Sequence, residues 1–364
     1  MKRTWFKIGL LIFVLLGTAC QQQRAAYDAL SQVMDEQVAD DGPGVVLLVR
    51  NGRIGEQIFA GGLSDWEEPT AARTVNHFRI GGLTKTFIST LVIQMVTEGK
   101  LSLDDTLAQH LPDTAAHIPH SEQITIRQLL NMTSGIVDYR DNPAFWEAVL
   151  TQEKRGWQPD EVIVYAYDLP PTAVPGETFH YSNSNTILLQ MILNTALEEE
   201  LSDELRDRIL DRVDMPDTYL EPIARTTGGH IGGYGDIDGD GTVESLLSYD
   251  DGRGLGDLGL ISNAIDLGVF ATALYERTLP GDDGREQTLA TVPMPNGDEY
   301  GLGIMRRHSE WGEMWGYASV ATGFTSQMWF LPDRDTTVVV LINAEEVELA
   351  DELVTGALTA VIEE

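Results

Sequence analysis

Apolar residues recur at helical spacing near the start of the chain: Ala25, Ala26, Tyr27, Leu30, Val33, Met34 and Val38 mark a first helix, which Gly42-Pro43-Gly44 ends. Val45, Val46, Leu47, Leu48 and Val49 are then apolar without interruption, and residues 54–60 form a second β-rich run. Arg50-Asn51-Gly52-Arg53 lies between them, and an Asn-Gly pair between apolar runs predicts a hairpin. From residue 84 to 98, Phe87, Leu91 and Met95 make one stripe and Ile88, Val92 and Val96 the next, so this helix is apolar over a wide face and is predicted to be buried. Residues from about 101 to 275 read as helices and loops, with Pro, Gly and Asp clusters at 168–176 and 235–257. Short β-rich runs follow at 300–306, 327–331 and 337–342, and residues 345–362 read as a closing amphipathic helix. Strands at both ends with helices between them predict an α/β (α+β) fold. An antiparallel sheet is built from about 25–100 and 276–364, flanked by helices, and a mostly helical subdomain is inserted at about 101–275. There is no internal repeat.

Charge narrows the range of partners. Against 24 Lys and Arg stand 57 Asp and Glu, a formal net charge of −33. Such a surface repels phosphate backbones, which excludes nucleic acid as a main partner, and it favours solubility without saying anything about fold. Cys20 is the single cysteine, so no intramolecular disulfide can form. Before it, Lys2, Arg3 and Lys7 precede an apolar run at 8–16 and the small residues Gly17, Thr18 and Ala19, the order of an export signal. The expectation is a signal peptide over 1–19, lipid on Cys20, and a polar tether over 20–24 that holds a soluble domain at a membrane by the anchor alone. Gln21 after the cysteine favours the outer membrane, on its periplasmic side or surface. Gly17 stands where such lipoprotein signals usually carry leucine, which leaves ordinary cleavage and a soluble periplasmic or secreted protein as the other reading.

Phe78-Arg79-Ile80-Gly81-Gly82-Leu83-Thr84-Lys85-Thr86-Phe87 resembles the nucleophile motif of the serine β-lactamase and penicillin-binding-protein superfamily, in its class C and D,D-carboxypeptidase-like branch. Residues 99–105, 125–135, 175–183, 256–262 and 323–326 extend the resemblance through most of the chain. The family's Ser-x-x-Lys works because residues i and i+3 at a helix start share a face, which brings the amine to the hydroxyl. Here the serine position is Gly82, which has no side chain to acylate, while Lys85 persists. Thr84 next door should point about 100° away, a poor substitute. Tyr181-Ser182-Asn183 matches the second motif, in which the resemblance gives the tyrosine a part in proton transfer with the lysine and lets the asparagine orient a substrate amide. Ser182 and Ser184 read as exposed-loop hydroxyls with no evident base partner. The third motif, normally Lys or His, a small residue and Gly, falls on Tyr317-Ala318-Ser319, so a phenol replaces the charge or imidazole and serine replaces glycine.

Two other signals merit weighing. Asp236, Asp238 and Asp240 occupy positions 1, 3 and 5 of a calcium-type loop with Gly241 at 6, but position 12 is Leu247; the alternatives are a calcium site and an Asp-Gly hairpin tip. Trp311, Trp315 and Trp329 could line a cleft, though packing is the commoner role of such residues. No cofactor is implied by the resemblance. The sequence therefore points to an exported pseudoenzyme whose cleft of Gly82, Lys85, Tyr181, Asn183, Tyr317 and Ser319 binds a peptide, peptidoglycan-like or small acyl ligand of the cell envelope without acylation. The alternative is an active hydrolase that uses water or another hydroxyl, with Lys85 and Tyr181 moving protons.

Overall fold

The segment Val45 to Val49 is apolar at every position because its strand is covered on both faces. The structure is a computed structural model and describes residues 21–151, 156–221, 231–276 and 279–362; the expected leader and Cys20 lie outside them. Its large sheet holds β1 (Val45–Asn51), β2 (Gly55–Gly61), β3 (Val292–Pro293), β4 (Glu299–Tyr300), β5 (Met305–Ser309), β6 (Gly312–Ala321), β7 (Phe324–Leu331) and β8 (Thr336–Ile342). The order is β3-β4-β5-β6-β7-β8-β1-β2, antiparallel throughout. The two ends of the chain meet where β1 pairs with β8, from Val45 opposite Ile342 to Asn51 opposite Thr336. The predicted hairpin joins β1 to β2 with Asn51 opposite Gly55.

Side-chain alternation divides the sheet between two cores. Val45, Leu47, Val49, Trp329, Val338 and Val340 face helix α1 (21–37) and the closing helix, Val347–Ile362. Val46, Leu48, Met328, Phe330, Val339 and Leu341 face the core that contains α2 (Thr84–Thr97) and the helical insertion, including α3 (Asn183–Ala196). Helix α4 (Ala264–Tyr275) belongs with the sheet. Tyr275 packs its ring 5.2 Å from that of Phe330, and Phe270 stacks on Phe87 with centroids 3.7 Å apart. The insertion therefore ends before residue 264 and not at 275.

Two further expectations shift. Residues 21–24, expected to be a polar tether, are the first turn of α1. Strand β6, the longest of the sheet, lies in a stretch whose glycines interrupt the apolar pattern. Gly316 is required there, since a Cβ would meet the Met328 carbonyl oxygen at 1.8 Å. A buried ionic network ties the β6–β7 turn to the insertion. Arg140 donates to Asp251 at 3.0 Å, Thr322 donates to the same carboxylate, and Arg79 binds Glu221 at 2.8 Å. Burial alone would raise the pKa of Asp251, but the guanidinium groups of Arg140 and Arg79 hold it below the usual carboxylate range.

Helix α4 opens on Asn263, whose side chain accepts the Asp266 N–H at 2.9 Å. The Asp266 carboxylate in turn accepts from Thr218 Oγ1 at 2.8 Å and Asp217 N at 3.0 Å. Burial nevertheless pushes its pKa up to about 6. Between its ordinary value near 3.8 and about 6, the folded protein binds this proton more tightly than the unfolded chain does. The stabilisation is present below that window and is lost as pH rises through it. Asp266→Asn should therefore shed less stability than wild type in thermal melts between about pH 3.5 and pH 6.5, the two curves diverging by at most about 3 kcal/mol. Parallel pH profiles would contradict this.

Candidate functional site

A tight turn, Gly81–Leu83, delivers the chain from the strand Phe78–Arg79 into α2, and all three turn residues are buried against β6 and β7. Ser326 Oγ on β7 donates to the Ile80 carbonyl at 2.8 Å. On the facing β6, Ser319 Oγ accepts the Gly82 N–H at 2.7 Å. Both glycines answer to that closeness. Gly81 has φ +52°, and a Cβ there would meet Ala321 Cβ at 2.7 Å and Ser319 Oγ at 2.8 Å. A Cβ on Gly82 would lie 2.9 Å from Ser319 Oγ, 3.2 Å from Tyr181 OH and 3.2 Å from the Tyr317 ring. The place of a side chain at residue 82 is thus bordered by two hydroxyls and an aromatic edge.

One helical turn on, Lys85 is 1% exposed. Its Nζ donates to Asn183 Oδ1 at 2.7 Å and to the Asp257 carbonyl at 2.9 Å, and it lies 5.2 Å from the centroid of the Tyr181 ring. Asn183 opens α3 and is itself fixed: its backbone N–H and its Nδ2 donate to Asp138 Oδ2 at 2.8 and 2.7 Å. A carboxylate at a helix N-terminus is favoured by the helix dipole, and here it also turns the amide oxygen toward the lysine. The Asp257 side chain is fully buried. It accepts the Tyr139 hydroxyl at 2.8 Å through Oδ2, and among the described residues its Oδ1 has no partner. Burial raises the pKa of Asp257, and burial followed by the neighbouring Asp257 raises that of Tyr139 well above a phenol's usual value.

Three phenols line up on the other side. Tyr317 OH donates to Tyr181 OH at 3.4 Å, which leaves its oxygen to accept from Tyr300 OH at 3.1 Å. The chain of donors therefore runs Tyr300 to Tyr317 to Tyr181, and the Tyr181 proton is left for the cleft. Tyr300 and Tyr317 are fully buried, and burial, then the adjacent phenols, lifts the Tyr317 pKa well above its ordinary value. Tyr317 is a neutral hydrogen-bond donor and cannot supply the positive charge that a lysine would supply there.

Gly82, Lys85, Tyr181, Asn183, Tyr317 and Ser319 thus lie together at one site, Tyr181 and Ser319 half-buried at its edge. Ser182 and Ser184 do not read as exposed loop hydroxyls here. Both are fully buried, and Ser184 lies in α3, where it donates to the Val137 carbonyl and accepts the Tyr139 N–H. Thr84 points away, accepting the Leu260 N–H at 3.1 Å. Asp138, Tyr139, Asp257 and Tyr300 complete the site without having been singled out. Asp257 fell inside a family-like stretch and Asp138 follows another by three residues, the available signals. The Trp311, Trp315 and Trp329 side chains are buried as packing residues. Asp236, Asp238 and Asp240 are exposed between the short strands Tyr234–Gly235 and Glu244–Ser245. Their carboxylate oxygens lie within 4.8 Å of one another and could hold a metal. The same carboxylates accept the backbone N–H groups of Asp240, Gly241 and Thr242, which an Asp-rich turn also does without a cation.

Because Ser319 Oγ crowds the Cβ position of residue 82, Gly82→Ser should destabilise the fold by about 1–3 kcal/mol. The double variant Gly82→Ser, Ser319→Gly removes the crowding hydroxyl and should recover most of that loss in urea unfolding. A single variant as stable as wild type would show that the two positions are not coupled.

Comparison with known proteins gives this arrangement a context. The chain is 29% identical to Protein flp of Staphylococcus aureus (strain COL) over 159 residues, 42% of this chain and 30% of that protein. It is 24% identical to Penicillin-binding protein 4* of Bacillus subtilis (strain 168) over 316 residues, 78% of this chain and 64% of that protein. The matches thus span less than two thirds of either relative's own length. Among solved structures, a D-stereospecific amidohydrolase from Streptomyces sp. superposes with a TM-score of 0.80 at 25% identity, covering 93% of this chain and 99% of that one. The Beta-lactamase family matches residues 30–360, and the chain belongs to that family.

Proposed function

We propose that this protein uses the cleft at Gly82 to bind an acyl-type ligand of the cell envelope, a peptide or peptidoglycan-like fragment, without being acylated at residue 82. One observation carries the reading: Lys85 and Asn183 are held in place by hydrogen bonds to each other, to Asp138 and to the Asp257 carbonyl, around a residue that has no side chain. An ammonium and an amide held that rigidly are prepared to orient a carbonyl or carboxylate. The similarity to penicillin-binding and D-stereospecific amidohydrolase proteins supports peptides containing D-residues as the ligand class. Isothermal titration with a muropeptide should give a heat that Lys85→Ala abolishes, and at a hundred times Kd the ligand should stabilise the fold by about 2.7 kcal/mol. No heat together with no melting shift would remove the binding reading.

Export and lipidation complete the proposal, and the order of basic, apolar and small residues before Cys20 supports them. None of the described helices is long and apolar enough to cross a membrane. Cells fed a palmitate analogue should label the wild-type protein and not Cys20→Ala. Equal labelling of both would rule out a lipid on this cysteine.

A further inference from the structure

The exchange at residues 82 and 319 moves a hydroxyl rather than deleting it. Ser319 Oγ lies 2.9 Å from the point where a Cβ on Gly82 would be, and Tyr181 OH borders the same point at 3.2 Å. Other hydroxyls in or near the site are committed or sealed. Ser326 donates to Ile80, and Thr84, Ser182 and Ser184 are fully buried. Ser319 is half-buried, accepts the Gly82 N–H at 2.7 Å, and among the described residues donates its own proton to none. Ser319 therefore carries an unassigned proton on a half-buried side chain, and Tyr181, whose hydroxyl borders the same point, has a proton that is also uncommitted.

We propose that Ser319, reaching across from β6, supplies the nucleophile that residue 82 lacks, and that the cleft turns over carboxylic esters. Ser319 Oγ bonds to the ester carbonyl carbon and the bond from that carbon to the alcohol oxygen breaks. The Ser319 proton passes to the Tyr181 oxygen while the Tyr181 proton passes to the departing alkoxide, so the step yields an acyl-serine and a neutral alcohol with no net change in charge. As Oγ becomes bonded to carbon, the Gly82 N–H is freed for the carbonyl oxygen one bond further on. Water then repeats the exchange, releasing the acid and returning the Ser319 hydroxyl. Esters fit better than amides because an alkoxide can depart as it takes the proton of a neutral phenol, whereas the far more basic amide nitrogen must be fully protonated before its bond to carbon breaks. This goes beyond the binding reading, since it adds a covalent step at a different residue in the same cleft.

The test is intact-mass spectrometry of residues 21–364 after incubation with a fluorophosphonate, in which the Oγ–P bond forms and fluoride departs with the serine proton. Wild type and Ser182→Ala should each gain one phosphonyl group, mapped by fragmentation of the tryptic peptide 308–334 to Ser319. Ser319→Ala should gain none, with a melting temperature that shows it folded. With p-nitrophenyl acetate, Ser319→Ala should lose the measurable rate, and Tyr181→Phe should lower kcat by about 100-fold or more. An unlabelled wild type, a labelled Ser319→Ala, or a label on another residue would overturn the proposal. An unlabelled wild type that still binds a muropeptide leaves the binding function standing, so the two failures are distinguishable.

Discussion

A lysine that is 1% exposed must find its hydrogen-bond acceptors inside the protein, because an ammonium group stripped of water and left unpaired costs several kcal/mol. Much of the cleft follows from satisfying Lys85. Its acceptors come from the start of α3 and from the loop before α4, segments far apart in sequence. Neither acceptor is a carboxylate. The nearest acids act one step back, Asp138 by holding the Asn183 amide and Asp257 by offering its main-chain carbonyl while its side chain binds Tyr139. The lysine thus organises the surroundings of Gly82 through oriented dipoles, a geometry that survives whether or not residue 82 carries a side chain.

The other wall of the cleft is aromatic and neutral. In the family's third motif the resemblance calls for a charge or an imidazole, whereas this chain has Tyr317, fully buried and donating to Tyr181. Two neutral phenols behind Tyr181 polarise its hydroxyl toward the cleft without adding charge. Glycine at 82, serine at 319 and tyrosine at 317 are compatible as a set, since the Ser319 hydroxyl and the Tyr317 ring fill room that a side chain on residue 82 would otherwise need.

The sheet was largely legible in the sequence because burial leaves a periodic trace. Apolar residues throughout 45–49 marked a strand, and the double stripe from Phe87 to Val96 marked a buried helix. Helix α4 was assigned to the insertion because an almost uniformly apolar helix looks alike wherever it packs; its contacts with Phe330 and Phe87 decide the matter, and those are properties of the fold. The motif residues of the cleft could be found by resemblance, but the bonds between them could not. Nothing local announces that Ser319 meets the N–H of a residue 237 positions away, or that Asp138 holds Asn183. Ser184 was misread because a hydroxyl near a turn looks exposed until the helix that buries it is seen.

The sheet also separates the two ends of the molecule's work. Helix α1 and the closing helix lie on one face, where Arg53 reaches the Val361 carbonyl at 2.6 Å, while Tyr317 and the cleft belong to the core on the opposite face. A molecule fixed to a support through the residues before Gln21 would therefore keep Gly82 on the far side of the sheet, whose full thickness would separate it from the first turn of α1.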